Sequence, residues 1–168
     1  MPHSLITGGA RSGKSRRAEF LARSLPGRPI YIATAEIRDA EMAARVAEHQ
    51  ARRGPEWDEH PAPRDLCSAL QQTDGRGPRL VDCLTLWLSN LFEAERDWHA
   101  ATQDLVACLE RQQSPVILVT NEVGLGIVPG SKLGRDFRDA QGRLNQIVAG
   151  AVAHVELMVA GIPVTVKS

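Results

Sequence analysis

No sign of charge dominates this sequence: its 20 lysines and arginines are matched by 20 aspartates and glutamates. Without net charge there is no overall field to draw the chain to nucleic acid or an anionic membrane, so any phosphate binding has to be local, and a nucleic-acid motor is the weakest reading. Lysine is scarce, with Lys14, Lys132 and Lys167 the only ones, so a lysine inside a glycine-rich loop is informative. Cysteine is sparse too. Cys67, Cys83 and Cys108 are odd in number and widely spaced, with no C-x-x-C pair, and read as reduced thiols rather than a disulfide or metal framework. No apolar run approaches the length that spans a bilayer, and nothing resembles a signal peptide, so a cytoplasmic location is expected.

What is present suits one compact domain over residues 1–168. Short β-rich runs at Ser4–Thr7, Ile30–Thr34, Leu80–Asp82 and Val116–Thr120 alternate with stretches of helical period at about Lys14–Ser24, Asp39–Arg53, Arg64–Gln72, Thr85–Asp97, Ala100–Gln113 and Arg135–His154. Val155–Val159 and Val164–Val166, separated by a turn signal at Gly161-Ile162-Pro163, read as a final strand pair. The expected fold is α/β: a P-loop NTPase of RecA-like type, with a mainly parallel sheet flanked by helices on both faces and a short C-terminal strand pair. The stretch Asn121–Gly134 reads as a long loop, of the kind that often closes over an active site or places a substrate.

Gly8-Gly9-Ala10-Arg11-Ser12-Gly13-Lys14-Ser15 matches G-x-x-x-x-G-K-[ST], after an apolar strand and before a helical stretch. Its glycines let backbone N–H groups turn inward around phosphate oxygens, and the helix N-terminus adds partial positive charge. Lys14 is placed to reach the β- and γ-phosphates, and the Ser15 hydroxyl to ligate Mg²⁺. Asp82, ending the run Leu80-Val81, stands where a carboxylate near the metal shell is expected, though a capping aspartate is the plainer alternative.

On the helical stretch from Asp39, Met42, Val46 and His49 share one face at i, i+4 and i+7. Such a histidine is often simply packed. Arg45, Arg52 and Arg53 nearby also suit a nucleophile: guanidinium groups stabilise phosphate oxygens and disfavour imidazolium. A neutral imidazole would then attack an α-phosphorus, expel pyrophosphate and hold the nucleotide as a phosphoramidate.

The ordered set Thr7–Ser15, Tyr31–Ala35, Glu41–Arg45 with His49 and Trp57, Leu84–Asn90, Thr120–Pro129, Arg135, Phe137–Asp139, Gly142, Asn145-Gln146 and Gly161–Pro163 resembles the bifunctional adenosylcobinamide kinase/adenosylcobinamide-phosphate guanylyltransferase family of adenosylcobalamin assembly. The resemblance spans nearly the whole chain. It implies phosphorylation of the aminopropanol hydroxyl of adenosylcobinamide by ATP or GTP, then transfer of GMP from GTP to that phosphate through a guanylylated histidine, matched by His49. It also implies nucleotide contacts at Ala33, Thr34, Ala35, Gln50, Ala51, Arg52, Arg53 and Asp82, and assembly as a trimer. The rival readings are a monofunctional P-loop kinase, with no histidine intermediate, and a GTP-dependent regulatory switch. The sequence departs from the family pattern after Trp57, where Asp58-Glu59-His60-Pro61 puts Pro61 at the position of a nucleotide-contacting Glu and leaves Glu59 as the nearest substitute. Ala153 likewise stands where an Asp is usual.

Overall fold

The computed structural model describes residues 3–168, apart from the side chains of Arg45 and Arg52. Strand β1 (Ser4–Gly8) leads into helix α1 (Lys14–Arg23), β2 (Ile30–Ala33) into α2 (Ala40–Arg53), and β3 (Asp58–Pro61) into α3 (Leu66–Thr73). After β4 (Arg79–Asp82) come two helices, α4 (Leu84–Glu93) and α5 (Trp98–Leu109), then β5 (Val116–Val119), α6 (Lys132–Ala151), β6 (His154–Val159) and β7 (Ile162–Lys167). The strands form one sheet in the order β3-β2-β4-β5-β1-β6-β7. Every neighbouring pair is parallel except β6 with β7. The expected α/β fold is therefore present, and β5 separates the phosphate-loop strand β1 from the strand that ends in Asp82.

Alternation along the strands sends successive side chains to opposite faces, which builds two cores. Leu5, Ile32, Val81, Leu118 and Val155 join α3, α4, α5 and α6 through residues such as Leu70, Leu88, Leu105 and Leu144. Ile6, Tyr31, Leu80, Ile117 and Met158 meet Ala18 and Ala22 of α1, and Trp57, on the other face. Among the described residues α2 contributes no apolar side chain to either core.

Several boundaries differ from the sequence expectation, each for a local reason. The strand β3 was not anticipated, because Asp-Glu-His-Pro has neither β-branched residues nor apolar alternation. Only its parallel pairing with β2 makes it a strand. Asp97, expected to end a helix, instead starts α5: its carboxylate accepts the N–H groups of His99 and Ala100. Helix α6 begins at Lys132, three residues before the expected Arg135, because the Ser131 hydroxyl caps it by accepting the Gly134 N–H at 3.1 Å. It stops at Ala151, since His154 pairs with Ser4 as the first residue of β6. The hairpin turn carries Ala160 and Gly161 at φ 50° and 83°, the left-handed conformations of a two-residue hairpin that follows the sheet's twist.

At the amino end of the sheet, far from the strand ends where a ligand would sit, Arg79 is fully buried and donates to Asp74 at 2.6 Å, Gln112 at 2.8 Å and the Ser114 carbonyl at 3.0 Å. Desolvation alone would raise the Asp74 carboxyl, but Arg79 and the N–H groups of Gln113 and Ser114 overcome it and bring the pKa down from 3.8 to about 2. A carboxyl depressed in the folded state stabilises the fold above its unfolded pKa, and that contribution fades as pH falls toward the folded value. Wild type is therefore expected to lose urea stability between about pH 4 and pH 2 more steeply than Asp74→Asn. Parallel pH profiles of the urea midpoint would remove Asp74 from this role.

Candidate nucleotide site

The phosphate loop joins β1 to α1 at the carboxyl edge of the sheet, the crevice where open α/β sheets bind ligands. Its backbone is held in left-handed turns at Arg11 (φ 54°) and Gly13 (φ 97°). Gly8 admits no larger residue, since a Cβ there would lie 2.7 Å from the Met158 carbonyl oxygen and 2.8 Å from Ser12 Oγ. The β6–β7 turn braces the loop from outside: the Gly161 N–H donates to the Ser12 carbonyl at 3.0 Å. This explains why the Gly161-Ile162-Pro163 segment, distant in sequence, belongs with the loop.

Lys14 opens α1, is buried, and donates its ammonium to the Gly9 carbonyl at 2.6 Å. That fold-back aims the Lys14 charge across the mouth of the loop. Burial lowers its pKa, while the nearby Asp82 carboxylate opposes the shift. Among the described residues the buried Ser12 Oγ has no partner, which leaves a hydroxyl for a phosphate oxygen. Ser15 follows Lys14 in the first turn of α1, half-buried, and Gly9, Ala10 and Arg11 are exposed at the rim.

Asp82 ends β4 as expected, and its Oδ2 accepts the Tyr31 hydroxyl at 3.1 Å. Burial raises the Tyr31 phenol far above its usual range, so it remains a donor. Arg53 lies over the Tyr31 ring with its guanidinium carbon 3.4 Å from the centroid. This guanidinium is buried, donates Nη2 to Glu59 at 2.6 Å, and among the described residues leaves Nε and Nη1 without partners. Gln50 donates to the other Glu59 oxygen at 2.8 Å. Residues 59 and 61 of β3 point to the same sheet face, so the carboxylate expected at position 61 is absent but one stands a single pleat earlier, already engaged by α2.

The remaining expected positions divide. Ala33 ends β2, pairing with both Pro61 and Asp82. Thr34 is fully buried, and its hydroxyl accepts the Cys83 N–H at 2.7 Å and donates to the Cys83 carbonyl at 2.8 Å, while its own carbonyl takes the Asn90 amide. Its side chain is thus used to hold β2 against the start of α4, with half-buried Ala35 just beyond. Asp39 caps α2 by accepting the Met42 N–H at 2.7 Å, and Met42, Val46 and His49 are all half-buried along one side of the helix. Ala51 is exposed. The side chains of Arg45 and Arg52 lie outside the described residues, so the proposed arginine cluster is represented by Arg53. Among the described residues no hydrogen bond or ion pair joins His49 to Lys14, Ser15 or Asp82. Sequence reasoning missed Tyr31, because a tyrosine inside a strand looks like core; only its pairing with Asp82 and Arg53 gives it a place in the site.

The fold and sequence have known counterparts. A prototypical ATPase from a bacterial type III secretion system superposes with a TM-score of 0.59 at 10% identity, over 98% of this chain and 56% of that one. A protein from Pyrococcus horikoshii OT3 gives 0.55 at 12% identity, over 99% and 86%. At these identities the likeness speaks for the fold alone. Sequence relatives are much nearer: the bifunctional adenosylcobalamin biosynthesis protein CobP of Pseudomonas aeruginosa is 43% identical over 97% of this chain and 96% of its own length. The CobU proteins of Salmonella typhimurium and Escherichia coli are 42% and 40% identical, each over 97% of this chain and 98% of theirs. Residues 4–166 match the model of one family, and with that match the chain belongs to the cobinamide kinase / cobinamide phosphate guanyltransferase family.

Proposed function

We propose that this chain catalyses two successive transfers in adenosylcobalamin assembly: phosphorylation of the adenosylcobinamide hydroxyl by ATP or GTP, then transfer of GMP from GTP to the resulting phosphate, giving adenosylcobinamide-GDP. The observation that carries the reading is the line Arg53–Tyr31–Asp82, which ties the last turn of the helix bearing His49 to the strand end beside Lys14. One chain thus presents both a triphosphate cradle and a candidate nucleophile.

In the first transfer the phosphate-loop N–H groups, the Ser12 hydroxyl and Lys14 would hold the β- and γ-phosphates and stabilise charge on the transferring group. The donor set beside them suits Mg²⁺: the Ser15 hydroxyl and the Asp82 Oδ1 oxygen are hard oxygen ligands, and Mg²⁺ takes few protein ligands and keeps its waters. When bound, Mg²⁺ would neutralise phosphate charge. In the second transfer the neutral His49 imidazole attacks the α-phosphorus of GTP and pyrophosphate leaves. The histidine-bound GMP is then passed to the corrinoid phosphate, regenerating His49. Arg53, whose Nε and Nη1 nitrogens have no partner among the described residues, and Gln50 would meet the nucleotide.

The same reading includes a trimer working in the cytoplasm. No helix among the described residues is long and apolar enough to cross a membrane. Apolar side chains stand exposed along β7, at Ile162, Val164 and Val166, a surface that another copy would cover. Purified protein given adenosylcobinamide, Mg²⁺, ATP and GTP is expected to form adenosylcobinamide phosphate first and adenosylcobinamide-GDP second. Chromatography that finds the phosphate but never the GDP product would favour a kinase alone.

A further inference from the structure

The transfer to a hydroxyl leaves one role unfilled: something has to receive the proton of the attacking alcohol. Between the phosphate loop on β1 and Asp82 on β4 lies the carboxyl end of β5, so the residues that follow Val119 stand over the middle of the crevice. The first of them are fixed. Thr120 is fully buried, its hydroxyl donating to Asn145 at 2.7 Å and accepting from Gln141 at 3.0 Å. The Asn121 N–H donates to the Thr85 hydroxyl at 2.9 Å, and its carbonyl accepts the Asn145 amide at 3.1 Å.

Glu122 comes next, and its N–H donates to the carbonyl of Gly8, the first residue of the phosphate loop, at 3.0 Å. The Lys14 ammonium rests on the neighbouring Gly9 carbonyl, and that ammonium serves the β- and γ-phosphates, so Glu122 is anchored at the γ-phosphate end of the loop. Its carboxylate is half-buried and accepts only the Gly124 N–H, at 2.9 Å on Oε1; among the described residues Oε2 has no partner. Three other glutamates near this edge are committed to arginines: Glu36 to Arg38 and Arg64, Glu59 to Arg53, and Glu93 to Arg38. A carboxylate neutralised by a guanidinium is a poor base, whereas Glu122 carries no such partner.

We propose that Glu122 is the general base of the kinase step, an assignment that rests on the kinase reading above. As the alcohol oxygen bonds to the γ-phosphorus, the bond from that phosphorus to the β–γ bridging oxygen breaks and the nucleoside diphosphate leaves with its electron pair. The hydroxyl proton passes to the Glu122 carboxylate, which later releases it to water. Guanylylation of His49 needs no such base, because a neutral imidazole nitrogen attacks directly and the acceptor in the following step is already a phosphate anion.

The test separates the two reactions. Positioned bases contribute about 10²–10⁴-fold. In Glu122→Gln, kcat for corrinoid phosphorylation is expected to fall at least about 100-fold, with Glu122→Asp between it and wild type. GTP affinity by calorimetry and labelling of His49 from α-labelled GTP should stay within a few-fold of wild type. Retention of kinase kcat in Glu122→Gln would overturn the proposal, as would parallel loss of GTP affinity and labelling, which marks a structural role. A wild-type protein that binds GTP yet phosphorylates no corrinoid would overturn the kinase reading itself and this assignment with it.

Discussion

A His49→Ala protein is expected to phosphorylate adenosylcobinamide at close to the wild-type rate while carrying no covalent label from α-labelled GTP. Label on the wild type should be acid-labile and alkali-stable, as a phosphoramidate is. Alanine leaves no nitrogen to hold GMP, so the second reaction should fall to background rather than merely slow. The substitution is a clean one, because α2 contributes no apolar side chain to either core among the described residues. Its attachment comes through Arg53 over Tyr31 and through the Arg53 and Gln50 bonds to Glu59, none of which uses the His49 side chain. The melting temperature should therefore hardly move. Wild-type levels of label on His49→Ala would place the nucleophile elsewhere, and absence of label from well-folded wild type would leave only the kinase.

Lys14→Ala has the opposite signature: both reactions are expected to fail together. The ammonium is the buried cation in the loop, held at the Gly9 carbonyl, and on the proposed reading it meets the charge on the β- and γ-phosphates in either transfer. Loss of one preorganised electrostatic contact typically costs about 10²–10³-fold, or about 2.7–4 kcal/mol of transition-state stabilisation. A fall of that size in kcat/KM for both phosphoryl and guanylyl transfer is the expected result. Unchanged rates would detach Lys14 from the triphosphate. A loss confined to one reaction would mean that the two transfers do not share the phosphate loop. His49→Ala and Lys14→Ala together therefore divide the protein's chemistry into a shared cradle and a step-specific nucleophile.

The departure at Pro61 shows how far sequence reading reached in the site. A missing glutamate was visible in the string, and Glu59 was the nearest carboxylate. The strand β3 was not visible, and without it nothing said that positions 59 and 61 share a face. Once β3 pairs with β2, Glu59 lies in register with Tyr31 and meets Arg53 and Gln50. Glu122 was similarly legible only as part of a loop with several glycines. Its proximity to Gly8 depends on β5 lying beside β1, a pairing across more than a hundred residues of chain.

By itself the sequence determined the phosphate loop, the alternation of buried strands and helices, and the family. Each of these is written in short-range patterns: glycine placement, a lysine and serine at a helix start, apolar runs and ordered motifs. Only the tertiary structure decided which side chains face one another at the carboxyl edge of the sheet. Tyr31 reaches Asp82 across 51 residues, and the Gly161 N–H braces Ser12 from the far end of the chain. In a parallel sheet neighbouring strands come from distant segments, so the contacts that arm the site are set by strand order and register rather than by any local stretch of residues.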